Sequence, residues 1–285
     1  MRSVAIAGVG LIGGSFGLAL RRAGFHGTIT GISRPETIEA AVALGAVDAA
    51  TTLEQAAAES DVLFLAQPVG VIIETLRRLA PMARPDCLIT DAGSTKAAII
   101  SAAREIPLFL GGHPMAGKET SGVSSAAADL FEGRPWVICS RSESDRSHPR
   151  AAEYLSWISR CGATLIHLEA DEHDRTVAFT SHLPQLASTA LGAALAAQVA
   201  DAEKLFISGS GVRDMTRLAM SSWEVWRDIL ATNSSHIQHA LNVYIDKLTF
   251  LRDNTGAQSI ADDFRSAADV AGSLRQPRQR ISEEG

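Results

Sequence analysis

The stretch SVAIAGVGLIGGSFGLAL, residues 3–20, decides how the rest of the chain is read. Ser3–Ala7 is a short apolar run of strand type. It passes directly into Gly8, Gly10 and Gly13, and from Ser15 to Ala23 the apolar residues recur at helical spacing. Strand, glycine turn and helix in this order open a βαβ unit. Each glycine has its own reason. Gly8 allows the tight turn, Gly10 lets backbone approach a pyrophosphate, and Gly13 lets helix and strand pack closely. With Leu11 and Ile12 they place a helix N-terminus, with its free N–H groups and positive dipole end, where a dinucleotide phosphate sits.

Working outward, strands and helices alternate. Thr28–Ile32, Val62–Ala66, Cys87–Thr90 and Leu108–Gly111 read as strands. Glu36–Leu44, Leu53–Glu59, Val71–Ala80 and Thr95–Arg104 read as helices between them. The strands are continuous apolar runs, which suits a parallel sheet covered on both faces. Trp136–Cys139 and Ala163–Leu168 add two strands around a polar loop near Arg141–His148. Beyond Asp171 the pattern turns helical, with long stretches over Thr176–Ala200, Asp214–Thr232 and Ser235–Asp253. The expected class is α/β: an N-terminal Rossmann-type, doubly wound parallel sheet over 1–170, and an all-helical domain over 171–285. The polar segment Arg275–Gly285 is expected to be loose.

The chain of 285 residues is 46% hydrophobic, enough for two domains with real cores. A formal net charge of −6 gives no basic excess for nucleic acid or an anionic membrane. There is no spanning segment and no signal-peptide pattern. Cys87, Cys139 and Cys161 are scattered and form no metal-ligand spacing, so they read as buried hydrophobes in a reducing compartment, and the location as cytoplasmic.

Candidate site residues fall where open α/β sheets bind ligands, beyond the strand C-termini. After the second strand the acidic residue expected for an NAD ribose is missing, and Ser33-Arg34 stands there instead. A hydroxyl and a guanidinium suit a 2′-phosphate, so NADP is the expected cofactor, with NAD also possible. Gln67-Pro68 and Asp91-Ala92-Gly93-Ser94 end two later strands. His113, between Gly112 and Pro114, lies on a constrained loop and suits acceptance of a hydroxyl proton. A structural histidine bonded to a carbonyl is the alternative for it. His182, in Ser181-His182-Leu183-Pro184-Gln185, lies in the helical half. Arg213 and Arg217 share a helix face at i, i+4, with Asp214 and Glu224 as the expected salt partners and Trp223 and Trp226 on the same run.

Taken together, these motifs resemble the prephenate and arogenate (cyclohexadienyl) dehydrogenases. The resemblance runs from Val4 to about Arg252 and rests on GVGLIGGSFGLAL, DAGSTK, GGHPMAGKETSG, TSHLPQ and RDMTRLA followed by WRDI. It implies oxidative decarboxylation in tyrosine formation, with hydride passing to NAD(P)+. It implies that His113 takes the ring-hydroxyl proton and that Ser94 contacts the same hydroxyl. Glu119 is then the gating carboxylate, Arg217 binds a substrate carboxylate, and Trp226, His182 and Gln185 line the pocket. The helical half resembles a dimerisation domain, and the apolar helix from Leu183 suits a homodimer interface. Two positions depart from many prephenate-selective members: Gln185 replaces a second histidine, and Lys118 precedes the gating glutamate. The first leaves the side-chain preference open, and Ser33-Arg34, which resembles the pattern of NADP-using members, leans the reading towards arogenate or dual use. The rivals are a β-hydroxy acid dehydrogenase using Lys96, a relative acting on an amino-substituted prephenate, and a non-catalytic NADP sensor.

Overall fold

The computed structural model describes residues 1–199 and 201–276. Eight strands form one sheet: β1 (Ser3–Ala7), β2 (Thr28–Ile32), β3 (Ala49–Ala50), β4 (Val62–Leu65), β5 (Leu88–Asp91), β6 (Phe109–Pro114), β7 (Pro135–Ser140) and β8 (Thr164–His167). Their order is β3-β2-β1-β4-β5-β6-β7-β8. The chain leaves β1 towards β2 on one side and returns to β4 on the other. That reversal opens a crevice beyond the C-termini of β1 and β4.

Alternation along buried strands sends successive side chains to opposite faces. Val4, Ile6, Val62 and Phe64 enter one core with Phe16, Trp136 and Tyr154. Phe16 and Phe64 meet there at a centroid distance of 4.4 Å. Ala5, Ala7, Leu63 and Leu65 enter the other with Ile72, Leu76, Ile89 and Phe109. The helices supplying the two faces are α1 (Leu11–Arg22), α2 (Pro35–Ala43), α3 (Leu53–Glu59), α4 (Val69–Leu79), α5 (Ala97–Ala102), α6 (Glu143–Ser147) and α7 (Pro149–Arg160).

Three expectations need correction here. β7 runs antiparallel to β6, so the sheet is mostly rather than wholly parallel. That pairing extends β6 through Pro114 and puts His113 opposite Val137, inside a strand and not on a loop. The polar segment around Arg141–His148 contains α6, capped by the Ser142 hydroxyl on the Asp145 N–H, and leads into α7, which the strand-and-loop reading passed over.

After α8 (Ala170–Val177), a π-helical turn over Ala178–His182 precedes α9 (Leu183–Gln198). Pro184 explains the wider turn: it has no N–H to give the carbonyl four residues back, so the helix opens there. Next come α10 (Ala202–Phe206), α11 (Ser210–Thr216), a tight turn over Arg217–Met220 and α12 (Trp223–Thr232). The single helix expected over Asp214–Thr232 is therefore broken, at Arg217 and again at Ser221-Ser222. α13 (Ser234–Asp253) and α14 (Ala261–Arg275) complete the described elements.

The chain packs as two compact units, Met1–Ile237 and the segment from Gln238 onward. In the second, Lys247 and Asp263 join α13 to α14 at 2.8 Å. Arg275 closes α14, and the rest of the expected loose tail, 277–285, lies outside the described residues. Among the described residues no helix is long and apolar enough to cross a membrane.

Candidate active site

The glycine turn is closed where packing requires it and open where a ligand requires it. Gly8 has φ +90°, and a Cβ there would lie 2.5 Å from the Ala66 carbonyl oxygen. A Cβ on Gly13 would lie 2.2 Å from the Gly8 carbonyl oxygen. Gly10, the residue before α1, has nothing within 4 Å of that position. The first turn of α1, with Leu11 and Ile12, carries no acidic side chain and no side-chain cap, so its N–H groups stay free for an anion. The turn is pinned beside β2 by the Gly8 N–H, which donates to the Ile32 carbonyl at 2.9 Å. Ser33 and Arg34 are both exposed just beyond, Arg34 at the start of α2. Among the described residues the Arg34 guanidinium makes no ion pair. Gln67 and Pro68 close the other side, the Gln67 carboxamide accepting from the Thr75 hydroxyl at 3.1 Å.

Asp91 is turned inward. Its carboxylate accepts from the Gly93 N–H at 2.8 Å and the Gly112 N–H at 3.1 Å, and pairs with Lys96. Both side chains are 0% exposed. Lys96 also donates to the Gly112 carbonyl at 2.7 Å. The buried pair thus holds both sides of the Gly112 peptide, next to His113. Ser94 is half-buried on the same loop.

His113 sits at the end of a line of groups that sequence reasoning missed. Its Nδ1 lies 2.8 Å from Nε2 of His173, and His173 Nδ1 lies 2.8 Å from Asp174. Asp174 also accepts from the Lys96 N–H at 2.7 Å and the Ala97 N–H at 2.9 Å, capping α5. Asn233, just past α12, donates to the Asp174 carbonyl at 2.7 Å and lies 3.2 Å from His182 Nδ1. His182 Nε2 is buried and without a partner. The Trp226 ring stands edge-on to His182 at 5.7 Å.

Electrostatics keep these imidazoles neutral. Burial first, then His173, Lys96 and His182, push His113 well below its ordinary 6.5. Burial pushes His182 down to about 4. Burial would raise Asp174, but its bonds to His173 and the two amides prevail and hold it below the ordinary value. Between 6.5 and about 4 the unfolded chain binds a proton at His182 that the folded chain refuses. Stability therefore falls as pH drops through that window. Thermal melts across it are expected to show a declining midpoint, with a shallower slope in His182→Gln. A midpoint independent of pH there would contradict the burial of neutral imidazoles.

Glu119, Arg217 and Trp226 line one cleft of about 490 Å³ with Lys118, Met220 and Val225. Arg217 pairs with Glu119, not with the acidic neighbours expected from its own helix. His113 does not line this cleft; Trp226 links the cleft to His182. Gln185 is buried, and its amide donates to the Leu218 carbonyl at 2.8 Å, tying α9 to the turn that carries Arg217. The described residues contain no cluster of histidine, cysteine and carboxylate groups able to hold a metal.

The comparisons with known proteins decide the family. Residues 16–167 match the model described as prephenate dehydrogenase, nucleotide-binding domain, and residues 169–266 match prephenate dehydrogenase, dimerization domain. The chain belongs to the prephenate dehydrogenase family. It is 34% identical to the prephenate dehydrogenase of Lactococcus lactis over 82% of this chain and 65% of that protein, so it spans just under two thirds of that relative. The prephenate dehydrogenase of Aquifex aeolicus, solved with hydroxyphenyl propionate and NAD+, superposes with a TM-score of 0.88 at 30% identity, covering 96% of this chain and 98% of that one. The Synechocystis arogenate dehydrogenase gives 0.78 at 29% identity, covering 95% and 99%. The family thus agrees with the glycine turn, the mostly parallel sheet and the helical segment that follows it.

Proposed function

We propose that this chain oxidatively decarboxylates prephenate, arogenate or both in tyrosine formation, passing hydride to a nicotinamide dinucleotide. One observation carries the reading: a buried, neutral His113, bonded through Nδ1, at the edge of a sheet whose glycine turn leaves room at Gly10. Residues 1–170 hold the dinucleotide, and 171–285 complete the substrate site and pair with a second copy. Gly8, Gly10, Leu11, Ile12 and Gly13 cradle the pyrophosphate, with Gln67, Pro68 and Gly93 along the edge. Asp91 serves from behind, by holding the loop.

When bound, the nicotinamide supplies the hydride acceptor. His113 takes the proton of the ring hydroxyl as its carbon gives up hydride, and Ser94 orients that hydroxyl. The ring carboxylate then leaves as carbon dioxide, its bonding electrons aromatise the ring, and His113 returns the proton to the phenolic oxygen. Arg217, positioned by Glu119 and Gln185, holds a substrate carboxylate by charge-assisted hydrogen bonds. Trp226 and His182 line the pocket beside it.

The exposed Arg34, with Ser33 and no acid at the end of β2, favours NADP. Arg34→Ala is expected to lower kcat/KM for NADP by about tenfold, the loss of one charge-assisted phosphate contact, and to leave NAD nearly unchanged. Equal losses with both cofactors would assign Arg34 another role. A homodimer is supported by α9, whose only fully buried residues are the polar Gln185 and Ser188, and by exposed Phe206, Ile207 and Trp223. The composition and the helices agree with a cytoplasmic enzyme. Initial rates with each substrate and each cofactor test the whole reading; absence of turnover in all four combinations would refute it.

A further inference from the structure

Of the three buried histidines of the site, His113 and His182 are bonded in opposite senses. Asp174 accepts from two backbone N–H groups and is held as a carboxylate, so it accepts a hydrogen bond from His173 Nδ1–H. His173 then has only a lone pair at Nε2, and that lone pair accepts a hydrogen bond from His113 Nδ1–H. The lone pair of His113 is left at Nε2. On the other branch, the Asp174 carbonyl can only accept, which fixes the amide of Asn233 with its NH2 towards it. The same NH2 faces His182 Nδ1 and donates a hydrogen bond to it. His182 Nδ1 is therefore bare, and its buried, unpartnered Nε2 carries the hydrogen.

We propose that Asp174 is the common positioning residue of the site: through His173 it presents His113 as a proton acceptor, and through Asn233 it presents His182 as a hydrogen-bond donor to the substrate. Both branches leave one residue, the first through its carboxylate and the second through its carbonyl. The pair thus offers the substrate one acceptor, for the proton that leaves, and one donor beside it. The groups facing the pair are His173, Asp174, Lys96 and Asp91, of which Lys96 and Asp91 neutralise one another. The proposal rests on the base role given to His113, but it concerns a property of the free protein that no substrate is needed to see.

Long-range ¹H–¹⁵N correlation spectra of histidine-labelled protein read it directly. In the unaltered chain His113 is expected as the Nδ1–H form and His182 as the Nε2–H form. His173→Leu is expected to release His113 into a mixture of forms while His182 stays as it was, and to lower kcat by about tenfold to a hundredfold with KM little changed. His173→Gln, which keeps a donor and an acceptor in line, is expected to recover part of that loss. Asn233→Leu is expected to alter His182 alone. An Nε2–H form of His113 in the unaltered protein would overturn the proposal, even if no variant folds. So would variants that leave both histidines unchanged. Correct forms without turnover on any substrate would instead refute the reaction and leave this hydrogen-bond order standing.

Discussion

His113→Asn lowers turnover by about 10²–10⁴-fold, the range expected when a positioned base is lost. The substitution suits the question because an asparagine amide can still donate to His173 Nε2, where the imidazole Nδ1 does now. Strand β6 keeps its pairing with β7, since the backbone of residue 113, opposite Val137, is untouched. The loss is expected in kcat, with dinucleotide binding and the melting midpoint close to those of the unaltered protein. A drop confined to KM would make His113 a binding group. In the unaltered enzyme the acid limb of kcat/KM is expected well below 6.5, because burial and the neighbouring groups keep the imidazole neutral there. An acid limb at the ordinary value would mean the base is solvated in the working enzyme.

Lys96→Met destabilises the fold by about 3–5 kcal/mol, the cost of leaving one member of a buried ion pair alone. Asp91 would keep its two amide donors but lose the full positive charge bonded to it. The Gly112 carbonyl would lose a donor at the same time. Denaturant unfolding followed by circular dichroism measures the shift in midpoint. The site should also respond. Lys96 helps to depress the His113 pKa, so its removal moves the acid limb of the rate profile upward, towards 6.5. A variant as stable as the parent would show that the pair is dispensable and that the Gly112 peptide is held by strand pairing alone.

Much of this was legible because it is local. The turn at Gly8, Gly10 and Gly13 is set by steric limits within a few residues, and a GGHP strand end stands out in any context. Helix α7 also had a signal that went unread: Pro149 at its start, then Ala151, Tyr154 and Ile158 on one buried face. The antiparallel β7 had none, since an apolar strand of six residues does not announce its direction. His173 and Asp174 lie in the run Asp171-Glu172-His173-Asp174-Arg175, which reads as a solvated helix face. They are 0% and 1% exposed, because the α5 N-terminus and His113 meet them from segments far away in sequence. Asn233 looks like an ordinary helix terminator until its amide is placed between Asp174 and His182. The missed pairing of Arg217 with Glu119, 98 residues away, has the same cause. Local pattern names the groups that do chemistry more readily than those that orient them.

The most direct test of the central claim uses substrate labelled at the ring carboxylate, supplied as prephenate or arogenate with NADP or NAD. Labelled carbon dioxide and reduced nicotinamide are predicted to appear in equal amounts, and both to fall together in His113→Asn. Reduced nicotinamide without carbon dioxide, or equal rates in the variant, would contradict the account.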